Sequence, residues 1–314
     1  MTLEMIPQLI VALCLGLIFG SFANVCIHRL PLERSLAWPG SACPACGAPI
    51  AWYDNIPVLS WLLLAGRCRG CRAPIHWRYP LVEAVTALLF VQLFLRHGLT
   101  LRWAALAYLT LSIIVLVPID WKHGILPDRV TLPGLVVGLT FSIFTVEPGG
   151  LDAMLGAAIG GLVPLTIRGL YMIYARLRRG PVPAGEPGVA GAGDGVIGIE
   201  GPGGSDGAPG RDGSDDMADL EAERREGMGL GDVKMLAMVG AFLGASNVLL
   251  TMLLGSVIGS LYVVPLVVMG RHEMKTAVPF GPFLGLAALI SMFWGHDLIS
   301  WYSNVVVTLP LGPS

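Results

Sequence analysis

Residues 103–119, WAALAYLTLSIIVLVPI, form an uncharged apolar run that ends at Asp120. About 20 such residues cross the ~30 Å hydrocarbon core of a bilayer. Because lipid offers no hydrogen-bond partners, such a run must satisfy its backbone internally, as a helix. The whole chain of 314 residues follows this pattern: 54% are hydrophobic and only 13% are charged, against about 25% charged in soluble domains. The sequence therefore predicts an all-α polytopic membrane protein. A β-barrel is disfavoured because these runs do not alternate as barrel strands do.

Eight runs of this kind occur along the chain, which predicts about eight transmembrane helices. The first has no basic region before it, so we expect a retained helix and not a cleaved signal peptide. The tail after Asp297 is interrupted by Asn304, Pro310 and Pro313, and we expect it to be interfacial. The predicted spans are Met5–Ile27, Leu81–Leu95, Trp103–Ile119, Val130–Val146, Leu151–Tyr174, Leu230–Ala245, Val248–Met269 and Val278–Trp294.

Basic residues fall mostly on one side of the membrane if eight helices alternate. Residues 29–79 carry six arginines, and further basic residues flank the later spans on the same side, whereas Arg96 and Arg102 alone lie on the other. Cytoplasmic loops are enriched in Lys and Arg. The amino terminus is therefore predicted to be periplasmic and the large loops cytoplasmic. The basic residues on the predicted cytoplasmic side are Arg29, Arg34, Arg67, Arg69, Arg72, Arg78, Lys122, Arg129, Arg176, Arg178, Arg179, Arg271 and Lys275.

The spans and loops divide the chain into five parts. Residues 1–28 hold the first helix, 29–79 a small cysteine-containing domain, 80–179 helices two to five, and 229–314 helices six to eight. Residues 180–228 contain 14 Gly, 5 Pro and 11 of the 22 acidic residues, too little apolar surface to offset chain entropy. We expect an acidic disordered insertion. Glycine recurs every third residue over 195–213, but a flexible linker is favoured over a collagen-like assembly.

Two Cys-x-x-Cys pairs, Cys43 with Cys46 and Cys68 with Cys71, are separated by 21 residues. Four thiolates at this spacing are typical of a tetrahedral structural zinc site, and Gly47 and Gly70 are expected to allow the turns. The alternatives are redox-active pairs or structural thiols without metal. Disulfides are disfavoured on the predicted cytoplasmic side.

Two acidic residues, 112 positions apart, are predicted at the same membrane face. Asp120 ends the third span, and Asp232 opens the sixth within Gly229-Leu-Gly231-Asp232-Val-Lys234. An acidic group there is costly unless water, a partner or function accounts for it. The alternatives are an interfacial Asp120 paired with Lys122, and Asp232 as a helix N-cap; Asp128 is likewise expected to cap the fourth span.

Two carboxyl groups at one site can share a proton, because like charges a few ångströms apart raise one pKa. One group then acts as a general base that activates water, and the other as a general acid. The pair therefore favours the chemistry of an aspartyl protease.

Several segments together resemble the type IV prepilin peptidases, also called prepilin leader peptidase/N-methyltransferases. The resemblance covers most of the chain. Its segments are 20–31 (GSFANVCIHRLP), 52–61 (WYDNIPVLSW), 78–83 (RYPLVE), Asp120 with Pro127-Asp128, and 229–234 (GLGDVK), together with the four cysteines.

The resemblance implies cleavage of the short basic leader from prepilins and type II secretion pseudopilins, after a Gly and before a residue that is often Phe. It implies catalysis by Asp120 and Asp232 at the cytoplasmic face of a bacterial inner membrane. It also implies methylation of the new amino terminus by S-adenosylmethionine. No Gly-x-Gly-x-x-Gly loop is present, so the methyl-donor site is not located by motif. Insertion 180–228 is longer than we expect in the family. It could tether substrate or a partner, but its composition favours a passive linker.

Two other classes are less well supported by the sequence. A transporter would carry charges deep in its spans and show helix repeats, but Arg168 is the one strong mid-span charge and no repeat is found. A presenilin-like protease shares a Gly-x-Gly-Asp element but lacks the paired cysteines. No nucleic-acid partner is indicated, and the sequence does not predict an oligomeric state.

Overall fold

The structure is a computed structural model that describes residues 5–145, 147–179, 229–269 and 278–308. These residues form nine α-helices and two short 3-10 helices, Leu30–Leu32 and Trp52–Asn55, without a β-strand. The α-helices are α1 Met5–Arg29, α2 Leu59–Leu63, α3 Arg78–His97, α4 Leu101–His123, α5 Asp128–Phe144, α6 Gly150–Arg179, α7 Leu230–Leu243, α8 Ala245–Val268 and α9 Gly281–Thr308.

The predicted all-α membrane fold is confirmed, and each of the eight predicted spans corresponds to one helix. Six helices of the described chain, α1, α3, α4, α6, α8 and α9, are long and apolar enough to cross a membrane. The other two, α5 with 17 residues and α7 with 14, are shorter. The tail after Asp297, which is expected to be interfacial, continues α9 as a helix as far as Thr308, past Asn304, because the first proline that could stop the helix is Pro310. The predicted disordered insertion 180–228 lies outside the described residues.

Helix α1 packs closely on α3 and α4 through small residues. A Cβ added to Gly20 would lie 2.7 Å from the Cα of Glu83, so only glycine permits this approach. Near its carboxyl end, α1 buries Ala23 and Cys26 against Ile119 of α4. Small residues let transmembrane backbones approach closely and gain dispersion contacts. The end of α1, the start of α3 and the end of α4 therefore lie at one end of the bundle.

Short helix α7 is enclosed by its neighbours along most of its length. A Cβ on Gly240 would collide with the backbone of Gly156 in α6, and a Cβ on Gly138 of α5 would lie 2.8 Å from the ring of Phe242. Nearly every residue from Asp232 to Leu243 is buried or half-buried. The first turn of α7 is thus held inside the protein, although the helix is too short to span a typical bilayer.

The chain forms two compact units, residues 1–165 with 230–314, and residues 166–229. In its described part, the second unit consists mainly of the last turns of α6, which expose apolar side chains such as Leu170 and Ile173.

Candidate active site

Asp120 occupies the last turn of α4 and is 5% exposed, so it does not lie in water beside Lys122 as one interpretation held. The backbone N–H of Gly281, the first residue of α9, donates a hydrogen bond to its carboxylate. A Cβ at Gly281 would lie 2.5 Å from Asp120 Oδ2, so the contact needs glycine. Among the described residues, none donates a hydrogen bond to the buried Oδ2 atom. One carboxylate oxygen is therefore left with acceptor capacity.

Asp232 lies in the first turn of α7 and is 7% exposed. It belongs to the helix instead of preceding it as an N-cap would. The preceding Gly231 packs against Leu126 in the connection between α4 and α5, where an added Cβ would come within 2.9 Å of the Leu126 Cβ. The glycine pattern around Asp232 therefore brings the start of α7 against the loop that follows Asp120.

The two carboxylates lie at the same end of the bundle, on helices that contact each other. Lys234 Nζ lies 2.7 and 2.8 Å from the two carboxylate oxygens of Asp128, which joins the starts of α7 and α5. One turn below the carboxylates, a Cβ at Gly285 of α9 would contact Val117 of α4 and Met235 of α7. Residues three positions apart lie on the same face of a helix. Val117 therefore shares a face of α4 with Asp120, Met235 shares a face of α7 with Asp232, and α9 contacts both faces.

The prediction that Asp128 caps the fourth span is wrong. Pro127 holds the N-cap position without a side-chain cap, and Asp128 is the first helical residue. Its carboxylate instead binds Lys234, a cation that reaches it from α7. A helix cap is a local interaction, whereas the pair of Asp128 and Lys234 joins residues 106 positions apart. The capping preference of aspartate therefore could not identify this ion pair.

The four cysteines come together at the same end of the bundle, between α1 and α3. Their sulfur atoms all lie within 4.8 Å of one another, and Cys43 Sγ is 3.8 Å from Cys71 Sγ. A tetrahedral site with metal–sulfur bonds of about 2.3 Å has sulfur atoms about 3.8 Å apart. The cluster can therefore hold a metal ion.

Each pair sits in the same kind of turn. Backbone N–H groups four residues after the first cysteine bond back to its carbonyl, from Gly47 to Cys43 and from Arg72 to Cys68. Gly47 has φ +69°, as a glycine turn predicts, but the equivalent residue in the second turn is Arg72 with φ +61°, and not Gly70. The backbone N–H groups of Cys46 and Ala45 lower the pKa of the Cys43 thiol to about 6. The Ala73 backbone N–H lowers the pKa of Cys71, but hydrogen bonds with the neighbouring thiols and burial outweigh it and raise that pKa to about 11. Cys43 is therefore the thiol that most readily takes the thiolate form that metals bind.

Contacts that sequence reasoning missed fasten the cysteine segment to the helices. Glu83 of α3 is buried, accepts a hydrogen bond from the backbone N–H of Val58 at 2.7 Å, and also bonds the Ser21 hydroxyl of α1. Asn24 of α1 donates to the backbone carbonyl of Tyr79. Ser21, Asn24 and Glu83 lie in the segments that carried the family resemblance, and that resemblance was the one sign in the sequence that they matter. Their hydrogen-bond partners are distant in sequence, so local patterns could not identify the contacts.

Fold and site together define a multi-pass helical membrane protein with two buried carboxylates and a four-cysteine cluster at one end. The family described as "Type IV leader peptidase family" matches residues 106–264, and "Bacterial Peptidase A24 N-terminal domain" matches residues 14–97. The chain belongs to the type IV leader peptidase family. The resemblance seen in the sequence is thereby confirmed.

Similar proteins carry the name prepilin leader peptidase/N-methyltransferase. One from Aeromonas salmonicida (strain A449) is 34% identical over 93% of this chain and 92% of its own length. One from Pseudomonas aeruginosa is 33% identical over 92% of this chain and 91% of its own. One from Myxococcus xanthus (strain DK1622) is 47% identical over 47% of this chain and 44% of its own. Comparison with solved structures gave no match.

Proposed function

We propose that this chain is a membrane aspartyl endopeptidase that removes the basic leader from type IV prepilins and type II secretion pseudopilins. The observation that carries the proposal is the burial of Asp120 and Asp232 at one end of the bundle, with an acceptor oxygen of Asp120 left without a donor. The names of similar proteins support the prepilin substrate.

In this mechanism the two carboxyl groups share one proton around a water molecule. The ionised group takes a proton from water as the water oxygen attacks the scissile carbonyl carbon, while the protonated group donates its proton to the carbonyl oxygen. The group that took the water proton then donates it to the leaving amine, and a hydroxyl of the collapsing tetrahedral intermediate returns a proton to the other group. The Gly281 N–H fixes the orientation of the Asp120 carboxylate, so that its second oxygen can face the water. The products are the free leader and a mature pilin with a new amino terminus.

Methylation of that amino terminus is the second proposed activity, because the similar proteins are named N-methyltransferases. S-adenosylmethionine would supply an electrophilic methyl group bound to a sulfonium.

The metal proposed for the cysteine cluster is a structural Zn²⁺ held by Cys43, Cys46, Cys68 and Cys71, because four sulfur ligands close a tetrahedral site. Its role would be to hold the two turns of the cysteine segment together.

For the orientation, we propose a bacterial inner membrane with the amino terminus periplasmic and the carboxylates facing the cytoplasm. The basic residues between α1 and α3 support it, since that segment lies at the end of the bundle that carries both acids.

The test is cleavage of a prepilin peptide by the purified full-length protein in detergent. Asp120→Asn and Asp232→Asn should each abolish cleavage without loss of folding. Asp152→Asn is the matched control: Asp152 is at the opposite end of the bundle, where it accepts a hydrogen bond from the Ala245 N–H, and its replacement should leave cleavage intact. Processing of prepilin by either variant at the wild-type rate would refute the mechanism.

A further inference from the structure

Three aromatic side chains from different helices form a cluster at the carboxylate end of the bundle. Ring centroids are 5.9 Å apart for Trp121 and Tyr262, 6.5 Å for Trp121 and Phe283, and 5.4 Å for Tyr262 and Phe283. All three pairs are tilted or edge-on, the geometries that aromatic rings prefer. We call these three residues the aromatic wall.

The aromatic wall is continuous with the surroundings of Asp120. Trp121 follows Asp120 directly in α4. Phe283 lies in α9, two residues after Gly281, whose backbone N–H binds the Asp120 carboxylate. The third ring, Tyr262, comes from α8, one turn after Gly259. A Cβ on Gly259 would lie 3.5 Å from the Phe283 ring, an ordinary van der Waals distance, so α8 is in contact with the start of α9. The position of the wall is thus fixed by the same helices that fix Asp120.

The wall keeps part of its surface free. Phe283 is 7% exposed and forms the base, whereas Trp121 is 53% and Tyr262 42% exposed. Aromatic residues also gather at membrane interfaces, where they need no ligand. Anchoring at the membrane interface explains why a single aromatic ring is exposed, but it does not require three rings to pack against one another. Three rings packed together beside a buried acid also offer one continuous apolar surface to a neighbouring group.

We propose that the aromatic wall receives the side chain on the carboxyl side of the scissile bond, a specificity role that rests on the proposed peptidase function. The family resemblance implies a prepilin leader that is basic and ends in glycine, which has no side chain to bury. The apolar side chain nearest the scissile bond is therefore the first one of the stem, on the carboxyl side of the cut. The charge at the wall agrees with this choice. Lys122 and His123 follow Trp121 and are exposed, and a lysine beside the wall disfavours a cationic leader there.

The proposal is tested with full-length enzyme in detergent and two prepilin peptides that differ only in having Phe or Ala after the scissile bond. For Trp121→Ala we expect kcat/KM to fall by about 10-fold or more for the Phe peptide and by less than about 3-fold for the Ala peptide, since an apolar pocket discriminates by 10- to 200-fold. Trp121→Phe should restore most of the selectivity. Tyr262→Ala gives a second reading that does not depend on how well the Trp121 variants fold.

Trp294→Ala is the matched control, because Trp294 is a half-exposed tryptophan further along α9, next to Arg96 and away from the carboxylates. It should leave the Phe-to-Ala ratio unchanged. An equal loss for both peptides in the Trp121 and Tyr262 variants would identify a purely interfacial role and overturn the proposal. If the variants changed how kcat/KM depends on the charge of the leader but kept the Phe-to-Ala ratio, the leader would lie on the aromatic wall. That result would also overturn the proposal. If the wild type cut neither peptide, the peptidase function itself would fail.

Discussion

The backbone N–H of Gly281 donates a hydrogen bond to the Asp120 carboxylate, so the start of α9 is joined to the end of α4 at the proposed catalytic acid. The contact buries the acid while satisfying one of its oxygens, and it requires an unusually close approach of backbone to side chain. The position of α9 and the orientation of Asp120 are therefore not independent.

Gly281→Ala should reduce prepilin cleavage by about 100-fold, the effect expected when a catalytic group is displaced by about 1 Å. The new methyl group would lie 2.5 Å from Asp120 Oδ2, so the carboxylate must move. Cleavage kinetics and thermal unfolding would be measured together. Gly150→Ala is the control, because an added Cβ there meets nothing within 4 Å. Full activity in Gly281→Ala would show that the contact does not orient the acid.

Lys234→Met should lower kcat several-fold while changing the free energy of unfolding by less than about 1 kcal/mol, as expected for a partly exposed ion pair. The pair with Asp128 joins α7 to α5 two residues after Asp232, so its loss lets the first turn of α7 shift. The control is Arg102→Met, which breaks the exposed pair with Glu147 at the opposite end. Equal effects of the two variants on kcat would argue against a positioning role.

Cys43→Ser should lower the metal content of the purified protein from about one zinc per chain and destabilise the cysteine segment, because one of four ligands is lost. Metal analysis and thermal unfolding before and after chelation give the readout. Cys14→Ser is the matched control: Cys14 is a free, exposed cysteine of α1 outside the cluster. An unchanged metal content in Cys43→Ser, or unchanged unfolding after complete chelation, would rule out a structural metal.

Acid should weaken the cysteine segment partly through Asp54. The hydrogen bond from Arg69 holds the pKa of the Asp54 carboxyl below its ordinary value, so the ionised form stabilises the fold. That contribution is fully present above the unfolded pKa of about 3.9 and is lost as pH falls through the lower folded pKa.

Hydrogen exchange of residues 52–72 in wild type and Asp54→Asn measures this effect. Both proteins keep the same four thiols, so thiol protonation affects both equally. The variant should exchange faster near pH 7, and the difference should shrink below about pH 4. A difference that stays constant with pH would mean that the ion pair does not contribute.

Apolar runs predicted the fold well, because a membrane allows only internally bonded helices of sufficient length. The limits of the eight runs lay mostly within a few residues of the helix ends, and both Asp120 and Asp232 were placed at the same end by counting helices. Clustering of the cysteines also followed from their spacing.

The remaining contacts depend on residues far apart in the chain, which local patterns do not encode. The Gly281 N–H, the Lys234 partner of Asp128 and the Glu83 contact with Val58 each join elements separated by 25 to 161 positions, and all became visible only with the helices packed. The turn at Arg72 was missed for a different reason. A positive φ is expected at glycine, here Gly70, but the residue that adopts it is Arg72.

The 14 residues of α7 extend only about 21 Å at 1.5 Å per residue, about 9 Å less than the hydrocarbon thickness of an average bilayer. If its far end reaches the opposite leaflet, Asp232 lies recessed below the lipid headgroups. Because α7 is enclosed by its neighbours, this recess is lined by protein and not by lipid, so water can reach the acid pair without drawing the substrate stem out of the membrane.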